Sequence, residues 1–129
     1  MSPAEYLEIL NQYADGVSSE GTAVLSILFA YIAATYFVGE QLSRFQAWSL
    51  SVLYSTFILM PASGIVRRVM NIQFLQEKFQ QDYPELSQTV IATAVPNFHI
   101  VVGCLLSAVW LFSLYFMIHT RIGSKPKKR

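Results

Sequence analysis

The side chains best suited to chemistry in this sequence are His99, His119, Cys104 and Ser107, and all four fall in one apolar stretch. On a single helix His99 and His119 lie about 30 Å apart along the axis, too far to share a metal ion within one chain. Cys104 follows His99 by five positions, which places it about 140° around the helix, a poor second ligand. Ser107 lies two turns below His99, and no acid in the stretch could orient a histidine base for a hydrolytic Ser–His pair. His119 adjoins Arg121 and suits an interfacial anchor. The one histidine with a remaining functional reading is His99, as a ligand-binding or pH-sensing group. There is no phosphate-binding glycine loop, no His-Glu-x-x-His and no Cys-x-x-Cys. The single cysteine excludes an intramolecular disulfide. These residues predict no enzymatic activity, no metal site and no cofactor.

Basic residues cluster at the end of the sequence, at Arg121, Lys125, Lys127, Lys128 and Arg129. A run of this kind could meet nucleic acid, but it has no interleaved aromatics and directly follows an apolar stretch. It reads as a topology signal in contact with anionic lipid head groups, with no nucleic-acid partner.

A third pattern concerns packing. Ser26, Ala30 and Ala34 recur every fourth residue, as do Gly103 and Ser107. Small residues at this spacing let helix backbones approach closely in lipid, where no hydrophobic effect drives association. Ser49, Thr56 and Ser63 recur every seventh residue and form a narrow hydroxyl stripe. Such hydroxyls either cross to a neighbouring helix or bond back to their own carbonyls. The stripes predict packing within the chain first, contacts between subunits second and a pore lining third.

The elements that must carry these residues are membrane helices. Of the 129 residues, 53% are hydrophobic and 13% charged, about half the charge of a soluble domain. Asp, Glu, Lys and Arg are missing from 21–39, from 45–66 and from 86–120, and about 20 apolar residues suffice to cross the hydrocarbon core. The expected fold is an all-α integral membrane protein with three transmembrane helices at about 21–38, 45–66 and 97–119, plus short interfacial amphipathic helices. Residues 1–20 form the first of these: Ser2-Pro3 suits a cap and first turn, Tyr6, Leu7, Leu10 and Tyr13 share a face, and Gly16 offers a stop. The first apolar window follows an acidic segment rather than a basic one and reads as a retained span, not a signal peptide. Glu40 and Arg44 suit a helical ion pair in the link between the first two spans. Pro61 should kink the second span.

Past Arg67, Ile65, Val69, Ile72 and Phe79 share one face, so 67–81 should continue the helix or lie flat at the interface until Tyr83-Pro84 ends it. The window 86–120 would span about 52 Å as one helix, too long for a single crossing. Pro96 divides it into an interfacial or re-entrant piece, 86–95, and a third span. Together 67–96 form an outer amphipathic segment, and 121–129 form a disordered basic tail.

Basic segments stay in the cytoplasm, which puts the N-terminus outside and the C-terminus inside, in a multi-pass protein of a bacterial-type inner membrane. Tyr36, Phe37, Phe45 and Trp48 would then flank the inner surface. The role expected on these grounds is a small non-enzymatic scaffold or accessory subunit whose partners are the lipid bilayer and either a second copy or another membrane protein. Three spans, an outside N-terminus and a basic inner tail also resemble the topology of one class of phage holins. That likeness covers the whole chain, rests on no shared motif, and implies a self-assembling pore. A small transporter component is the third possibility, although the spans lack the ionisable residues such proteins use.

Overall fold

The computed structural model describes residues 1–86 and 97–123. Among the described residues three long helices are present, α1 (Pro3–Val38), α2 (Arg44–Asp82) and α3 (Phe98–Gly123), and the fold is all-α. Each helix is long and apolar enough to cross a membrane, which fits a multi-pass membrane protein.

The start of α1 follows from local chemistry. Ser2 accepts from the Glu5 N–H while the Glu5 carboxylate accepts from the Ser2 N–H, and Pro3 occupies the first turn. The helix does not stop at Gly16. It runs unbroken for 36 residues, about 54 Å, so the amphipathic segment 2–16 is the first half of the first span's own helix. A glycine inside a helix costs about 1 kcal/mol relative to alanine, and here close packing offsets that cost, as described below.

The link between α1 and α2 contains only residues 39–43. Glu40 and Arg44 do not form the expected pair, because Glu40 sits in the turn and Arg44 opens the next helix. A second capping box starts α2 instead: Ser43 accepts from the Gln46 N–H, and the Gln46 side chain accepts from the Ser43 N–H. Helix α2 passes through Pro61 without ending and continues to Asp82. Of the two arrangements expected for 67–81, extension and not flat docking is the one adopted. Tyr83, which precedes Pro84, has left helical geometry (φ −136°, ψ 66°) and closes α2. Asn97, in the left-handed region at φ 59°, leads into α3, and its carbonyl accepts from the Ile100 N–H. Pro96, residues 87–95 of the expected interfacial piece, and Lys125, Lys127, Lys128 and Arg129 lie outside the described residues.

The two long helices are antiparallel and meet along a seam with a seven-residue repeat. On α1 the residues turned inward include Tyr6, Leu10, Tyr13, Val17, Glu20, Val24, Ile27 and Tyr31. On α2 they include Ala47, Ser51, Tyr54, Ile58, Pro61, Ile65, Arg68, Ile72, Leu75 and Phe79. Steps of three and four average 3.5 residues, the spacing that keeps two helices in contact with only a slight left-handed wrap. In the apolar part Val24, Tyr31, Tyr54, Ile58, Ile65 and Val69 pack together, with Met117 from α3. In the polar part Tyr6 packs on Leu75 and Phe79, flanked by Ile9, Leu10, Tyr13 and Tyr83.

Charged residues align at two levels. Glu20, Arg67 and Arg68 mark one, and Glu40, Arg44 and Arg121 mark the other. Twenty residues separate Glu20 from Glu40, and 23 and 24 separate Arg44 from Arg67 and Arg68, about 30–36 Å, close to the thickness of a hydrocarbon core. Residues 3–19 of α1 and 67–82 of α2 form a helical hairpin that continues about 25 Å past the Glu20–Arg68 level.

At the base of this hairpin two glycines open space for two charges. The Arg68 guanidinium lies over Gly16, and the Glu20 carboxylate lies over Gly64, where added Cβ atoms would collide with them. Each helix thus carries a glycine four residues before its charge. A Cβ at Gly21 meets nothing. Gly64→Leu should therefore expel Glu20, loosen the outer hairpin and speed trypsin cleavage after Arg67 and Arg68 in detergent micelles. Gly21→Ala should leave cleavage unchanged and add about 0.5–1 kcal/mol through helix propensity. Equal behaviour of the two variants would contradict this packing.

Candidate functional site

The polar groups inside the three-helix core form one connected set at the level of the second apolar window. The Tyr31 and Tyr54 rings stack at 3.9 Å between centroids, with 13° between planes. Both hydroxyls reach serines, and the direction of each bond follows from proton counting. Ser51 spends its proton on the Ala47 carbonyl (2.9 Å), so Tyr31 donates to Ser51 Oγ (2.9 Å). Ser113 spends its proton on the Trp110 carbonyl (2.7 Å), so Tyr54 donates to Ser113 Oγ (2.7 Å). Trp110 donates from its indole nitrogen to Ser55 Oγ at 3.0 Å. Thr35, fully buried, donates back to the Tyr31 carbonyl. Three cross-helix bonds thus tie α1 to α2 and α2 to α3.

At one end of this core Arg68 Nε stands 3.3 Å from Glu20 Oε2. The contact is an ion pair without hydrogen-bond alignment. Both side chains are partly exposed (39% and 26%), so the pair is worth about 1 kcal/mol or less. Its stronger effect is on register, because each charge fits only over the glycine of the facing helix.

At the same end α3 is tied to the extension of α2. With Gln73 Oε1 accepting, His99 carries its proton on Nδ1, and the two atoms are 2.6 Å apart. His99, singled out as a ligand or pH-sensing group, is half-buried and joins α3 to α2 through this bond. At the opposite end Arg121 donates to the Leu42 carbonyl at 3.3 Å and holds the α1–α2 turn against the end of α3. His99, Leu106, Trp110, Ser113, Met117 and Arg121 are consequently one stripe of α3, running from end to end of the span.

The remaining sequence candidates fall differently. Ser26 and Ala30 are exposed and Ala34 is half-buried, so that stripe lies beside the α1–α2 seam and not in it. Ser26 donates back to the Thr22 carbonyl. Ser49 is half-buried, whereas Thr56 and Ser63 are exposed and bond back to Val52 and Met60. Gly103 and Ser107 do come together with Ser63, along the wall of a largely apolar cavity of about 230 Å³ between the helices. Cys104 and His119 are exposed, and the His119 ring stacks on Tyr115. The described residues hold no cluster of His, Cys, Asp and Glu that could bind a metal ion.

Sequence reading missed Ser51, Ser55 and Ser113, because nothing local separates a serine that receives a bond from another helix from one that only bonds back. A signal was present for Tyr31 and Tyr54, since both sit in the seven-residue repeat described above.

The far tip of the hairpin is closed by tyrosines. Tyr6 donates to the Asp82 carboxylate, and Tyr83 donates to the Met1 carbonyl at 2.6 Å. Tyr6 meets Phe79 edge-on at 5.3 Å. The hydrogen bond to Asp82, aided by burial and by that residue's charge, pushes the Tyr6 phenol up to about 12.

Two outcomes follow. Tyr54→Phe and Ser113→Ala should each lower stability in micelles by about 0.5–2 kcal/mol, and the double variant should lose little more than either single one. Thr56→Val, on the exterior, should be neutral. The second outcome concerns pH. A phenol that ionises later when folded than when unfolded stabilises fully below its ordinary value near 10 and loses that contribution as pH rises towards 12. The stability advantage of the parent chain over Tyr6→Phe should thus hold through neutral pH and shrink between pH 10 and 12. A constant gap across that range would contradict the Tyr6–Asp82 bond.

No family model, no curated protein and no solved structure matches this chain.

Proposed function

We propose that this chain is a non-enzymatic membrane scaffold or accessory subunit, which presents its outer hairpin to a second copy or to another membrane protein. The observation that carries this reading is how the polar groups are used. Within the spans Tyr31, Ser51, Tyr54, Ser55, Trp110 and Ser113 fasten the three helices to one another, and Ser26, Thr35, Thr56 and Ser63 bond back to their own helices. Outside the spans the chain builds a paired, seam-packed hairpin about 25 Å tall. Its exposed residues include the polar Glu8, Asp15, Glu77, Lys78, Gln80 and Gln81 together with the apolar Leu7, Met70 and Phe74. The same use of the hydroxyls weighs against a self-assembling pore, since Thr56, Ser63 and Ser26 turn back to their own helices.

Orientation follows from charge. Seven of the eight acids belong to the hairpin and the residues just beyond it, with three bases. Six of the nine bases belong to the opposite end or to the sequence that follows α3, with one acid. The basic end belongs in the cytoplasm and the hairpin outside, in a membrane of bacterial inner-membrane type.

Purification from mild detergent after brief chemical crosslinking tests the proposal. It expects a defined complex, either with the chain itself or with one membrane protein, that is lost when Glu8, Asp15 and Glu77 are all changed to Lys. A chain that runs alone under all conditions would overturn it. Collapse of the membrane potential on induced expression in bacteria would also overturn it, in favour of the pore.

A further inference from the structure

At the end of the bundle opposite the hairpin, the first turns of α2 and the last turns of α3 line a cavity of about 540 Å³. Its floor is apolar, formed by Ala47, Leu114 and Met117, and both Arg44 and Arg121 line it. Trp48 also lines it and is 65% exposed, at the level where an indole suits the interface between hydrocarbon and water. Arg44 has no ion-pair partner and no side-chain hydrogen bond among the described residues. Two guanidinium groups over an apolar groove match an anion with a hydrocarbon tail. Free inorganic phosphate would leave the apolar floor unused, and a neutral lipid would offer no anion to Arg44. Guanidinium groups also suit phosphate oxygens geometrically, through paired N–H donors.

We propose that this cavity binds the phosphate of an acidic phospholipid between Arg44 and Arg121, with an acyl chain lying along the α2–α3 groove and Trp48 beside the glycerol region. The inference requires that the three helices cross a bilayer. It does not depend on the scaffold role, so loss of partner binding would leave it standing.

The test uses the full chain carrying Trp110→Phe, which leaves Trp48 as the remaining one of two tryptophans. It is reconstituted in phosphatidylcholine nanodiscs containing either brominated phosphatidylglycerol or brominated phosphatidylcholine at equal mole fraction, and quenching of Trp48 is read. The expected result is stronger quenching by the acidic lipid, a preference of at least about fivefold for each guanidinium engaged. Arg44→Gln should remove much of that preference and Arg44→Gln with Arg121→Gln nearly all of it. The single variant breaks no hydrogen bond or ion pair among the described residues, which guards against misfolding as the cause. Changing Lys125, Lys127, Lys128 and Arg129 together to Gln should keep most of the preference. Millimolar inorganic phosphate should not displace the lipid. Equal quenching by the two lipids would overturn the proposal. So would a preference that survives Arg44→Gln with Arg121→Gln, one that vanishes with the tail substitutions, or displacement by inorganic phosphate.

Discussion

Two helices that leave a bilayer side by side must share one register over nearly twice its thickness, and the Glu20–Arg68 layer is where this chain enforces it. Apolar residues in a repeating seam can slide by a turn at modest cost, because each would find another apolar neighbour. A charge seated over a glycine cannot, since the next site along the facing helix carries a side chain. The reciprocal arrangement of Gly16 with Arg68 and Glu20 with Gly64 fixes the offset from both sides. Polar groups at seam positions commonly act in this way, trading stability for a single alignment. Once that offset is set, Tyr31 meets Tyr54 on one side of the layer and Tyr6 meets Phe79 on the other.

The layer also lies where two different driving forces meet. Outside the hydrocarbon core, burial of Tyr6, Leu75 and Phe79 removes apolar surface from water and can stabilise the hairpin in the ordinary way. Inside it, lipid is as apolar as the side chains, so close packing and hydrogen bonds must hold the helices. The composition of the seam changes accordingly. Tyr31, Ser51, Tyr54, Trp110, Ser55 and Ser113 join the helices in the span, whereas aromatic and aliphatic contacts dominate in the hairpin. Helix α3 adds to this through a stripe fixed at its ends by His99 with Gln73 and Arg121 with the Leu42 carbonyl.

Much of the architecture is legible in the amino-acid sequence. The three charge-free windows, the cap at Ser2-Pro3, the continuation of α2 beyond Arg67 and its end at Tyr83-Pro84 all depend on local composition and backbone chemistry. The α1–α2 seam is harder to see, for a physical reason. Its repeat includes Glu20, Ser51, Pro61 and Arg68, which a search for apolar periodicity counts as interruptions. The same blindness makes Gly16 look like a helix stop, because a glycine that ends a helix and one that admits a guanidinium are the same residue in sequence. The small-residue stripe at Ser26, Ala30 and Ala34 is legible as a close-packing pattern, but it lies beside the α1–α2 seam, with Ser26 and Ala30 exposed. The hydroxyl network needs three dimensions, since each bond joins residues 20 or more positions apart.

The central claim is that residues 3–19 and 67–82 are one paired hairpin, continuous with the spans. The most direct measurement is the distance between spin labels placed at the exposed positions Asn11 and Asn71, in a Cys104→Ser background reconstituted in nanodiscs. Paired helices pack with axes about 8–10 Å apart, so the account predicts a single narrow distribution centred below about 30 Å once label length is included. A broad distribution, or one centred beyond about 40 Å as expected if the first segment lay flat on the membrane away from α2, would contradict it.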